Sequence, residues 1–253
     1  MMRRIAGLLL VAMAMILVPA ALPQMEPAQR LYTFVSQFQV PRAQWAAYSE
    51  DTEKMAIPIF DKLMADGTIT SWSTFEHVVH TPDGYTHGTA WSSTSVAGLM
   101  KVLDEVRKAG PRPGQIAATR HEDLLMVSTI HHGSSGSGTS GYLRVICSMA
   151  HADKPSEYTA TIKKLLVPTF EEQFKKGVVN YYGIDEQYVN TGAPSLRCVV
   201  VTYPNAESID KWATAINATL GKMNAAEQAE FLGSTVLDSR RDIMARITHY
   251  AQK

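Results

Sequence analysis

The sequence predicts an α+β protein made of two tandem ferredoxin-like βαββαβ units, and three observations predict it. The chain repeats itself at a constant offset of 110: Tyr48 pairs with Tyr158, Pro58 with Pro168, Phe60 with Phe170, Gly67 with Gly177 and Glu76 with Glu186, without a gap from Tyr32 to Val106. Within each copy the hydrophobic pattern passes from strand alternation to helical spacing and back in the same order. A run of almost pure glycine and serine, 133–141, falls where the first copy ends.

Each element has its own signal. Tyr32 to Gln39 and Tyr142 to Met149 are β-rich runs that open the two copies. A helix follows in each, with Tyr48, Thr52, Met55, Ile59 and Leu63 recurring at helical spacing, and Tyr158, Ile162, Leu165, Thr169 and Gln173 doing so in the copy. Gly67 and Gly177 stop these helices. Pro58 and Pro168 fall mid-pattern, where a proline kinks or restarts the helix. Ile69 to His80 and Tyr85 to Ser93 form a hairpin around Thr81-Pro82-Asp83-Gly84, and the copy turns on Thr191-Gly192-Ala193-Pro194. Second helices run from Ser95 to Lys108 and from Ala206, and the final strands are Leu124 to His131 and Ile243 to Tyr250. In these last strands Met126 pairs with Met244 and His131 with His249, so an insertion near Asn224 to Thr235 is expected. The predicted units are 30–132 and 142–253, joined by 133–141 as a flexible linker.

Residues 1–21 read as a Sec-type signal peptide. Arg3 and Arg4 precede the unbroken apolar run Ile5 to Val18, and Pro19, Ala20 and Ala21 supply a cleavage region. The expected location is therefore secreted or periplasmic, with no membrane span once the segment is removed. Lys plus Arg total 24 and Asp plus Glu total 24, with no basic block, which argues against a nucleic-acid partner. Cys147 and Cys198 are the two cysteines, and both sit in strand-like runs. In an exported chain they are candidates for a disulfide, with two buried thiols as the alternative.

The kinked first helix with Pro58 or Pro168, the stopping Gly67 or Gly177 and the hairpin after it resemble the dimeric α/β-barrel superfamily. That superfamily includes stress-responsive barrel domains, EthD-like proteins, cofactor-free monooxygenases, and the chlorite dismutase and haem-degrading groups. The resemblance covers nearly all of the chain beyond the signal segment. It implies that the sheets of the two units press together as an intramolecular α/β barrel, with a pocket between the sheets or between a sheet and its helices. Haem-binding relatives present a histidine from a helix, whereas the four main helices here contain none. No cofactor is expected.

Among chemistry-bearing residues, Glu76, His77, His80 and His87 crowd the first hairpin. Strand alternation puts His77 and His80 on opposite faces, so a metal centre is not predicted. Glu76 and Glu186 are carboxylates kept in both copies, with Trp72 and Tyr182 as candidate pocket walls and Arg197 at the position matching His87. These seven residues, Glu76, Glu186, Trp72, Tyr182, His77, His87 and Arg197, are the candidate ligand-binding set. No nucleophile elbow, phosphate loop or dinucleotide fingerprint is present. The function expected first is binding of a small ligand by an exported monomer or homodimer. The alternatives are a cofactor-independent oxygenase or isomerase acting on a small aromatic or quinone-like compound, and an interaction protein without a ligand.

Overall fold

The computed structural model describes residues 30–190 and 195–253; the segment 1–21 and the turn at 191–194 lie outside the described residues. The first half runs β1 (Leu31–Gln39), α1 (Trp45–Asp51), α2 (Ile57–Ala65), β2 (Ser71–His77), β3 (His87–Ser93), α3 (Val96–Ala109), a short α4 (Pro113–Ile116) and β4 (Arg120–Gly133). A three-residue strand, β5 (Gly136–Gly138), leads to the second half. That half runs β6 (Tyr142–Met149), α5 (Pro155–Leu165), α6 (Val167–Lys175), β7 (Tyr181–Gln187), β8 (Leu196–Tyr203), α7 (Ala206–Gly221), α8 (Ala225–Gly233) and β9 (Arg241–Gln252). The 133–141 segment is thus not a free tether: β5 hydrogen-bonds along the end of β9, pairing Gly136 with Gln252 and Gly138 with Tyr250. It covers an edge that β6 leaves unpaired beyond Arg246.

The prolines act as expected. Pro58 stands in the first turn of α2, after a π-helical stretch at 52–56, and Pro168 stands in the first turn of α6, after a break at Leu166. Gly67 and Gly177 end these helices at φ of +80° and +67°, a conformation that glycine adopts without steric penalty. The expected insertion is α8, started by an Asn224 capping box.

The strands close on themselves. Hydrogen bonding runs β2-β3-β1-β4-β7-β8-β6-β9, and β9 returns to β2, so an antiparallel barrel is sealed with the helices outside it. Side-chain alternation then sorts each strand into an inner and an outer face. On β1, Thr33, Val35 and Gln37 line the interior, while Phe34 packs outward against the helices. The outer layer divides into two cores. One gathers Phe60, Trp72, Trp91 and Leu99 under α2 and α3, and the other gathers Phe170, Tyr182, Tyr203 and Trp212 under α6 and α7. Phe60 meets Trp72 at 5.5 Å between ring centroids and Phe170 meets Tyr182 at the same 5.5 Å, so the repeated phenylalanines have matching surroundings.

The ladders correct one detail of the repeat. Thr33 faces Met126 and its counterpart Leu143 faces Ala245, so Met126 corresponds to Ala245 rather than to Met244. A one-residue slip in a strand exchanges the inner and outer faces. Both final strands carry a bulge, at Ser128/Ile130 in β4 and opposite Thr74/Phe75 in β9, at matching places in the two strands.

Cys147 and Cys198 are direct cross-strand partners on β6 and β8, with Cα atoms 4.1 Å apart, and they are bonded. The bridge closes a sequence separation of 51. By the chain-entropy relation, opening it destabilises the fold by about 4 kcal/mol. A Cys147→Ser/Cys198→Ser variant should melt roughly 10 °C lower in a thermal scan. A melting temperature unchanged by the double substitution would show that the bridge contributes nothing.

Candidate functional site

Inside the barrel lies a cavity of about 170 Å³ with a mainly apolar wall that includes Val35, Phe75, Leu143, Val145, Val200 and Ile247. One carboxyl group, that of Asp185, interrupts this wall. Asp185 belongs to the inner face of β7 with Tyr181 and Gly183, and it is 6 % exposed. Ser128, directly opposite on β4 and fully buried, donates its hydroxyl proton to Asp185 Oδ1. The Tyr181 ring folds back along its own strand, so that its hydroxyl lies over Gly183 on the same side as Asp185. Gly183 makes this possible: a Cβ there would stand 2.6 Å from Tyr181 Oη and 3.2 Å from Asp185 Oδ1.

The electrostatics follow from burial. Desolvation lifts the Asp185 carboxyl from 3.8 to about 6, although the Ser128 hydrogen bond and the charge of His131 pull it down. Burial, together with the neighbouring Asp185 charge, holds the Tyr181 phenol well above its usual range. His131 is half-buried on the inner side of β4, opposite Gly183. A carboxyl that titrates near neutrality at the wall of an apolar cavity can accept or return a proton.

Of the seven residues singled out from sequence, Trp72 belongs to the cavity wall and the other six do not. Glu76 and Glu186 sit on the outer face of β2 and β7, opposite His87 and Arg197. Glu186 is 42 % exposed and its carboxylate pairs with Arg197 at 3.0 Å, so it faces water and a neighbouring guanidinium rather than the cavity. Trp72 packs in one outer core and also contributes to the cavity wall, whereas Tyr182 packs in the other outer core and its hydroxyl donates to Glu171. His77 points to the inner side of β2 but does not line the cavity, and His87 lies on the other face against Trp45 and Tyr48. His80 also meets Trp45, on the same side as His87. No cluster of three metal-ligating side chains occurs among the described residues.

These histidines instead shape the acid response. Burial first, and then neighbouring histidines, depress both His77 and His87 from 6.5 to about 4. The unfolded chain therefore binds more protons than the folded one between about pH 4 and 6.5. The stability that the neutral rings supply is complete above pH 6.5 and is lost as pH falls toward 4, up to a few kcal/mol for the pair. A His77→Gln/His87→Gln variant should flatten the decline of melting temperature over that window; an identical slope would refute this assignment.

Neither a model of a protein family nor a curated protein matches the sequence. Solved structures do match. A candidate monooxygenase from Fusobacterium nucleatum subsp. nucleatum superposes with a TM-score of 0.67 at 11% identity, over 89% of this chain and 95% of that one. A candidate monooxygenase from Lactobacillus acidophilus gives 0.62 at 9% identity over 88% and 96%. An anthrone oxidase-like protein gives 0.54 at 12% identity over 88% and 93%. At such identities the likeness is one of fold. The chain shares the barrel fold of these structures, with the whole barrel closed by a single chain.

Proposed function

We propose that the barrel interior is an active site in which a small phenolic or quinone-like compound is oxygenated without a cofactor, Asp185 moving the proton. The observation that carries this reading is the single buried carboxyl, lifted to about 6, in the wall of an apolar cavity. The chemistry is balanced with oxygen alone. Asp185 takes a proton from an activated C–H or O–H group, the resulting carbanion or phenolate passes one electron to O₂, and the two radicals recombine as a hydroperoxide. Loss of water leaves a carbonyl, so a CH₂ group and O₂ become C=O and H₂O. The Ser128 hydroxyl, donating to the carboxylate, stabilises its charged form. The monooxygenase and anthrone oxidase-like names of fold relatives are compatible with this chemistry.

Two wider parts of the reading go with it. The equal strand orders of the two halves and the paired Phe60 and Phe170 environments support duplication of a ferredoxin-like unit, with 30–132 and 142–253 as the copies. The apolar run Ile5 to Val18 and the Cys147–Cys198 bridge support export to an oxidising compartment.

The test is oxygen uptake by the purified protein with a panel of hydroquinones, catechols and activated phenols. Substrate-dependent uptake that disappears in Asp185→Asn is expected. Binding without turnover in both proteins would reduce the barrel to a ligand carrier.

A further inference from the structure

Two features of the barrel together limit what can enter it, and the limit rests on the lumen being the ligand site. The first is size. A protein cavity of about 150 Å³ holds one benzene ring. The 170 Å³ interior therefore takes a single ring with one or two small substituents and has no room for a fused polycycle.

The second is charge at the mouth. A further cleft of about 300 Å³ opens at the end of the barrel where β1 and β2 begin and β4 and β9 finish. Ser71, Tyr181 and Gln252 line both this cleft and the inner cavity, so the two adjoin. Arg30, Lys253, His131 and His132 stand around the cleft, and among the described residues no carboxylate side chain belongs to its wall. His132 is occupied by Glu171 at 3.2 Å. Neither Arg30 nor Lys253 has an ion-pair partner among the described residues, although the chain carries equal numbers of acidic and basic side chains. The Lys253 backbone N–H is fixed to the Thr70 carbonyl at 3.0 Å, which holds this side chain at the rim.

We infer that the ligand is an anionic single-ring compound, a hydroxybenzoate-like acid, whose ring enters the lumen while its carboxylate stays at the mouth against Arg30 and Lys253. The division of charge is physically consistent. At the mouth Arg30 and Lys253, exposed and without an ion-pair partner among the described residues, meet water, where a carboxylate keeps much of its hydration. The interior offers only Asp185, beside which a second anion would be repelled. The ring hydroxyl, being neutral, is the end that can approach Asp185.

Isothermal titration of the intact protein with 4-hydroxybenzoate, with its neutral analogue 4-hydroxybenzyl alcohol and with phenol tests this. The acid should bind about tenfold more tightly than the alcohol at low salt. That advantage should shrink several-fold at about 0.15 M salt, where the screening length is about 8 Å. Arg30→Gln/Lys253→Gln should abolish the advantage and leave the affinity for the alcohol and phenol unchanged. Equal binding of acid and alcohol, insensitive to the double substitution, would overturn the anionic assignment while leaving the lumen as the ligand site. If phenol and the alcohol also fail to bind, and Asp185→Asn changes nothing, the site itself is wrong.

Discussion

Replacing Asp185 with asparagine should abolish turnover and make the protein more stable. The variant loses the proton acceptor, and removing a general base typically lowers the rate by about 10²–10⁴-fold. Its amide oxygen can still accept from Ser128, so the cavity keeps its shape. The stability change has a defined sign and pH range. In the native chain the folded carboxyl binds its proton more tightly than the unfolded one, at about 6 against 3.8, so stability is lost as pH rises through that interval. At pH 7 the buried carboxylate destabilises the fold by about 3 kcal/mol, and asparagine removes that penalty. Below pH 3.8 both side chains are neutral and the difference should vanish. Denaturant titrations at pH 7 and at acid pH check this. A variant that is less stable at both would mark Asp185 as a structural residue. The trade of stability for a strained or desolvated group is the pattern that functional sites follow.

Phe60→Ala and Phe170→Ala should each cost about 3–5 kcal/mol, because each side chain is almost fully buried among large aromatic neighbours and leaves a cavity. The two residues belong to separate cores on opposite halves. Their effects should therefore add within about 0.5 kcal/mol in the double variant, or unfold the chain outright if their sum exceeds the total stability. Urea titration of both single variants checks the equivalence. One variant near wild type with the other strongly destabilised would show that the halves are not equivalent supports of the barrel.

The fold was legible in the chain because its sequence repeat writes the same structural duty twice. A proline at Pro58 and Pro168, or a helix-stopping glycine at Gly67 and Gly177, is a weak signal alone and a strong one at a fixed offset. The final strands are legible, but matching identical residues such as Met126 and Met244 sets their correspondence one residue away from that of the ladders.

The candidate site was hidden for the opposite reason. Searching for what both copies keep selected Glu76 and Glu186, which share the outer face of their strands. Asp185 instead stands where the first copy has Phe75, and Ser128 stands where the second has Ile247. An inner position that is aromatic in one copy and carboxylate in the other breaks the repeat. The signal lay in the parity of Tyr181, Gly183 and Asp185, one face of one strand, but only the closed barrel shows which face is enclosed. Gly183 could be recognised only once the Tyr181 ring was seen lying over it. The disulfide was left open in sequence because strand membership of Cys147 and Cys198 does not set their register; the ladder does.

The central claim is that the barrel interior beside Asp185 receives the ligand, and a crystal structure of the protein soaked with phenol tests it most directly. The account predicts one ring inside the lumen, with its hydroxyl within about 3 Å of the Asp185 carboxyl. A ring bound only against the outer helices near Glu76 or Glu186, with the lumen holding nothing but water, would contradict it.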